Sequence, residues 1–212
     1  MCTGRVDLSF VLRALSKGMD GVFIIGCNLG ECNYTTHGNF HALGMALLCK
    51  KIMAHIGIDP ERLRVEYMSS GDGIRFAEVM NEFSSKIKHL GPLGKGEGIE
   101  KGLLAQKLEA ALAITPFIRL LERERLRVPL RTSEEYYKFF ASADVNKIFK
   151  EFIVDKLAIS QIMLLLREKP MPTGEIARRI GLTPSEVSRH MNSSSRQGLV
   201  SYDEGQKSYA LA

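Results

Sequence analysis

Cys27 and Cys32 are the residues of this chain best placed to do chemistry. They bracket the loop Cys27-Asn-Leu-Gly-Glu-Cys32, where Asn28 and Gly30 favour a turn, so a C-x4-C spacing can wrap both sulfurs around one iron centre. The loop directly follows the apolar run Gly21-Val-Phe-Ile-Ile-Gly26. Open α/β sheets place their ligands at the carboxyl ends of such strands. Cys2 precedes a helix and can converge there as a third thiolate. Zinc is the chemical rival to iron, because thiolates hold both. Cys49 lies in mid-helix beside Leu47 and Leu48 and reads as a buried free thiol. His37 and His41 stand near the loop and read as hydrogen-bonding or surface residues rather than ligands. No acid, base or nucleophile constellation appears elsewhere. A chain that only relays electrons needs none, since its work is to position a cofactor.

The elements that must hold these thiols are legible as periodicities. Asp7 can cap a helix with the stripe Leu8, Val11, Leu12 and Leu15, which Gly18 stops. The run Val22–Ile25 reads as a buried strand, His41–Ile56 as a helix with Leu43, Ala46, Leu47 and Met53 mostly on one side, and Leu63–Met68 as a second strand. Asp72 then leads into a helix carrying Phe76, Val79, Met80, Phe83 and Ile87. The expectation is an α/β domain over residues 1–92: a small parallel sheet with helices, joined by a right-handed crossover. Two strands make a thin sheet, and a first strand is expected to be missing.

Gly91–Gly98 is the only glycine-dense stretch and reads as a linker opening a helical middle region, residues 93–154. There Leu104, Leu108, Ala111 and Leu112 form a stripe, and Thr115-Pro116 reads as a cap followed by proline at the first helical position. Glu122–Arg125 reads as a solvated helix face, and Thr132-Ser-Glu-Glu135 as a capping box.

Residues 155–212 read as a winged helix-turn-helix domain. Helix 157–166 is followed by helix 174–180 capped by Thr173, the turn Gly181-Leu182, and a helix from Ser185 to Arg196 capped at Thr183-Pro184. Leu199–Tyr202 and Lys207–Leu211 then form a two-stranded wing. In such domains the helix after the turn enters the major groove. Ser185, Ser188, Arg189, Asn192 and Arg196 would face DNA, with Lys207 of the wing near phosphate. From Pro170 onward, Arg178, Arg179, Arg189, Arg196 and Lys207 meet Glu175, Glu186, Asp203 and Glu204. A module so close to neutral collects phosphates poorly.

The 212 residues, 45% hydrophobic and 25% charged, can bury a sizeable core, and a net charge of +5 permits nucleic acid or acidic partners without requiring them. No run approaches the ~18 apolar residues of a membrane span. Met1–Asp7 lacks the regions of a signal peptide, so a cytoplasmic location is expected.

Met1–Asp7, Gly21–Tyr34, Gly38-Asn39 and Gly57–Leu63 together resemble the delta (iron–sulfur) subunit of methyl-viologen-reducing hydrogenase, over roughly Cys2 to Pro92. The resemblance implies a [2Fe–2S] cluster with Cys2, Cys27 and Cys32 as cluster-region cysteines. It implies electron transfer between a hydrogenase or formate dehydrogenase and the flavin subunit of a heterodisulfide reductase complex. Asn28 and Asn33 stand where family members often carry His. The family domain normally begins some tens of residues earlier, with a strand and a cysteine-rich loop. Three thiolates do not complete a four-cysteine site. An upstream segment or a separate chain is expected to supply the rest. Alternatives of other classes are a redox-responsive winged-helix regulator and a cluster-free adaptor.

Overall fold

The computed structural model describes residues 2–34 and 37–212. The chain divides into two compact units, Met1–Lys147 and Ile148–Ala212.

In the first unit Asp7 accepts the Ser9 N–H at 2.8 Å and so caps helix α1 (Leu8–Ser16), whose Leu8, Val11, Leu12 and Leu15 are buried. Strand β1 (Val22–Gly26) pairs in parallel with β2 (Leu63–Tyr67), in register from Val22↔Leu63 to Gly26↔Tyr67. Helix α2 (Asn39–Ile56) forms the crossover between them. It starts two residues earlier than expected and is buried over most of its circumference rather than on one stripe. The reason is its position: the segment Thr3–Arg5, α1 and β2 pack against it, as do helices α4 (Lys101–Ala113) and α6 (Ser133–Ala141). Helix α3 (Gly73–Leu90) follows β2 and buries Val79 and Phe83, but leaves Phe76 exposed.

The glycine-dense segment is not a spacer. Its Glu97 accepts hydrogen bonds from the Gly94 N–H at 2.8 Å and the Asp59 N–H at 3.3 Å, and clamps the guanidinium of Arg62. Arg62 is fully buried and also donates to the carbonyls of Asp20 and Gly91, both at 2.9 Å. The region after it packs on α1 and α2, and Lys107 Nζ caps α2 by donating to the Ile56 carbonyl at 2.9 Å.

Two caps of this unit differ in outcome. Thr132 and Glu135 form the expected capping box at α6. Thr115 caps nothing: Ile114 precedes helix α5 (Thr115–Leu121), and the Thr115 hydroxyl donates back to the Leu112 carbonyl at 2.9 Å. The chain then winds as a π-helical turn over Glu122–Leu126, and Glu122 is not a solvated charge but pairs with His41 at 3.4 Å and Arg127 at 2.8 Å. A short helix α7 (Ala143–Ile148) follows α6.

The second unit contains helices α8 (Asp155–Glu168), α9 (Thr173–Ile180) and α10 (Pro184–Arg196) and the antiparallel strands β3 (Val200–Asp203) and β4 (Ser208–Leu211). Ile162, Leu165, Met171, Ile176, Val187 and Met191 are among its core. Thr183 and Glu186 form a capping box at α10. Thr173 is the first helical residue of α9 and not its cap, the place before it being taken by Pro172, whose extended backbone suits the entry. Met171 pairs with Tyr209, which ties the turn before α9 to the wing. Among the described residues no helix is long and apolar enough to cross a membrane.

Candidate metal centre

A cavity of about 790 Å³ opens at the carboxyl ends of β1 and β2, and Cys2, Cys27 and Cys32 all line it, opposite Met68, Asp72 and Phe76. Cys27 follows the last residue of β1 directly and is exposed, whereas Cys2 and Cys32 are half-buried. The Cys2 and Cys32 sulfurs stand 3.5 Å apart, and Cys27 lines the same cavity. Two thiolates on one tetrahedral ion, each at about 2.3 Å, lie about 3.8 Å apart. The Cys2–Cys32 pair is thus spaced for a soft metal. Among the described residues no three His, Cys, Asp or Glu side chains are yet gathered around one ion position.

Two glycines make the approach possible. A Cβ on Gly26 would lie 2.7 Å from Thr3 Oγ1, so only glycine lets the Cys2 segment close on the strand end, where Thr3 donates to the Ile25 carbonyl at 3.2 Å. A Cβ on Gly38 would meet the Cys32 sulfur and the Tyr34 carbonyl oxygen. Gly38 immediately precedes α2, so Cys32 sits against the amino end of that helix.

The electrostatics separate the thiols. Burial pushes Cys32 upward, but the backbone N–H groups of Tyr34 and Asn39 and the Cys2 and Cys27 thiols outweigh it, and the net shift is down. Burial also raises Cys27, and its hydrogen bond to Cys32 and the charges of Cys32 and Cys2 push it further up. Neighbouring thiols cannot all ionise freely without a cation to share their charge. Cys49 is a different case. It is fully buried in α2, and burial with the nearby Asp7 charge pushes it up to about 12, which leaves it a poor thiolate.

Sequence reasoning gave no role to Asn39, which is almost wholly buried, donates its amide to the Cys27 and Asn28 carbonyls at 2.9 and 2.7 Å, and lies 3.6 Å from Cys27 Sγ. Nor did it find Tyr67, whose hydroxyl donates to the Asn39 carbonyl at 3.4 Å. The only signal for either was that Gly38-Asn39 belonged to the family-like motif. His41 contacts Glu122 and not the thiols.

In the second unit Ser185, Arg189, Asn192 and Arg196 are exposed on α10 and Lys207 at the wing, while Ser188 is half-buried. Arg189 is engaged with Asp155 of α8 at 3.2 Å. The same carboxylate stands 4.0 Å from buried His190, whose imidazole burial holds below its usual range.

A parallel strand pair with thiols gathered at its carboxyl end, followed by a winged helix, defines the class. Residues 1–91 match the family model described as methyl-viologen-reducing hydrogenase, delta subunit, and residues 160–202 match that described as bacterial regulatory protein, arsR family. The chain belongs to the methyl-viologen-reducing hydrogenase delta-subunit family. Among individual relatives, it is 47% identical over 91 residues to the iron-sulfur subunit of the F420-non-reducing hydrogenase of Archaeoglobus profundus, covering 43% of this chain and 66% of that protein. The corresponding iron-sulfur subunit from Methanopyrus kandleri is 39% identical over 92 residues, with 43% of this chain and 69% of the relative covered. The ferredoxin/F(420)H(2)-dependent CoB-CoM heterodisulfide reductase of Methanosarcina acetivorans contains a subunit that is 44% identical over 94 residues, which is 44% of this chain but 12% of that larger protein. The chain therefore spans about two thirds of the hydrogenase subunits and an eighth of the reductase subunit.

Proposed function

We propose that this chain is an electron-relay subunit carrying an iron–sulfur centre, placed between a hydrogenase or formate-oxidising module and a heterodisulfide-reductase-type complex. The observation that carries this reading is the contact of the Cys2 and Cys32 sulfurs at 3.5 Å in a cavity shared with Cys27. The donor set is soft thiolate, which suits iron–sulfur chemistry, with zinc as the competing ion. Cys2, Cys27 and Cys32 would hold a [2Fe–2S] group, and such a group takes up and releases one electron. The chain's own residues supply the rest. The Cys32 thiol is biased toward thiolate by N–H donors, and the open cavity leaves room for a fourth ligand and for a redox partner. Relatives named as iron-sulfur subunits of hydrogenases and as part of heterodisulfide reductases support partners of those two kinds.

The test is anaerobic reconstitution with iron and sulfide, read by iron and sulfide content and the visible spectrum. With an added small thiol to fill the fourth ligand place, wild type and Cys49→Ser should take up both in labile form, while Cys27→Ser and Cys32→Ser should lose them. Equal uptake by all four would refute the assignment, and zinc uptake without sulfide would favour the rival ion.

A second reading, a redox-responsive DNA-binding regulator, is favoured by one observation: α10 presents Ser185, Arg189, Asn192 and Arg196 to solvent on the helix that reads DNA in such domains.

A further inference from the structure

Asn39 opens α2 with its side chain turned toward the thiol loop and is 1% exposed. Its amide nitrogen donates to the Cys27 and Asn28 carbonyls and reaches Cys27 Sγ at 3.6 Å. One residue thus ties two carbonyls of the C-x4-C loop and presents an N–H to its first sulfur, and Tyr67 steadies the Asn39 carbonyl from β2. Packing alone would not need this arrangement. Loop carbonyls can be satisfied by water at an exposed loop, whereas an N–H aimed at a sulfur changes the charge that sulfur can carry.

Resting on the iron–sulfur reading, we infer that Asn39 is a positioning residue that sets the electron affinity of the centre by donating an N–H to Cys27. Hydrogen bonds to thiolate sulfur stabilise the more negative, reduced state and raise the potential. Aspartate at this position has the same shape, offers no side-chain N–H and adds a negative charge beside Cys27. Both changes act downward. Serine keeps one O–H donor and adds no charge.

The experiment uses the full chain as wild type, Asn39→Asp and Asn39→Ser, each checked by its melting temperature. In the first arm the reconstituted proteins are titrated spectroelectrochemically. The reduction equilibrium of Asn39→Asp should fall about tenfold, which is 59 mV for one electron, with Asn39→Ser in between. In the second arm the reduced, metal-free chain is treated with iodoacetamide at fixed pH, and alkylation of Cys27 is followed by peptide mass spectrometry, with buried Cys49 staying unmodified as the check that the chain is folded. Cys27 is already exposed, so its rate reports thiolate content rather than access. Asn39→Asp should slow it about tenfold. A residue that merely ties the loop down would leave the potential unchanged and leave Cys27 as reactive as before or more so, and that pair of results would overturn the inference. If the wild-type chain takes up no iron even with an added small thiol in the fourth ligand place, the iron–sulfur reading fails by itself and the alkylation arm decides the role of Asn39 alone.

Discussion

Replacing Glu97 by alanine should destabilise the first unit severely, although Glu97 lies in a glycine-rich loop far from the thiols in sequence. Its partner Arg62 has a side chain 0% exposed, and that of Glu97 is 8% exposed. A buried guanidinium deprived of its carboxylate costs about 3–5 kcal/mol. Arg62 retains the carbonyls of Asp20, Leu90 and Gly91 as acceptors, so the low end, about 3 kcal/mol, applies. At roughly 2–4 °C per kcal/mol for a unit of this size, the melting temperature should fall by roughly 6–12 °C. Glu97→Gln, which keeps an oxygen acceptor and loses only the charge, should fall about half as far. Differential scanning calorimetry of the full chain at neutral pH is the assay. The pH dependence supplies the sign. Burial pulls the Glu97 carboxyl upward, but Arg62 and the Gly94 and Asp59 N–H groups outweigh it and hold it below the ordinary 4.5. Its contribution is therefore complete above 4.5 and is lost as the pH falls from there through the lower folded value. The gap between wild type and Glu97→Gln should close on acidification. A Glu97→Ala protein within about 1 kcal/mol of wild type would refute the clamp, since exposed pairs contribute no more than that.

Asp7→Ala should cost about 1 kcal/mol through loss of the α1 cap. Although burial raises Asp7, its bonds to Arg119 and Ser9 pull it from 3.8 to about 2, so the ionised cap's contribution holds above 3.8 and is lost on acidification toward 2; equal melting at pH 7 would refute it. Gly38→Ala should push Cys32 out of place and lower metal affinity by about 10–100-fold, as supporting-residue changes do, measured by competition with a chromophoric chelator; unchanged affinity would show that the close packing on Cys32 is incidental. For the winged helix, binding to the promoter of its own operon should be weak and unselective, with a dissociation constant of about 10⁻⁶–10⁻⁴ M. Nanomolar, sequence-selective binding lost in an Arg189→Ala, Arg196→Ala double variant would move the regulator reading to first place.

What the residues determined by themselves about this protein is what depends on near neighbours. The Thr132–Glu135 and Thr183–Glu186 boxes and the Asp7 cap close within three residues, so side-chain type and spacing suffice. The strands Val22–Gly26 and Leu63–Tyr67 announce themselves as short apolar or alternating runs. Thr115 and Thr173 mark the edge of that reach. Each is a good capping residue next to or near a proline, and which residue starts the helix depends on how the preceding segment enters the core. The thiol positions were partly legible, because Cys27 and Cys32 share one loop, and Cys2, just before a helix, could be placed beside them, a placement the family likeness also implied. Tertiary structure alone decided the rest. Arg62 and Glu97 are 35 residues apart, Cys2 and Cys32 30, and Asn39 reaches back 12 to Cys27. A periodic pattern says which face of an element is buried, but not which distant group it meets there. A glycine-dense stretch read locally is a linker; only with Arg62 folded beneath it does its single carboxylate become the clamp on a buried charge.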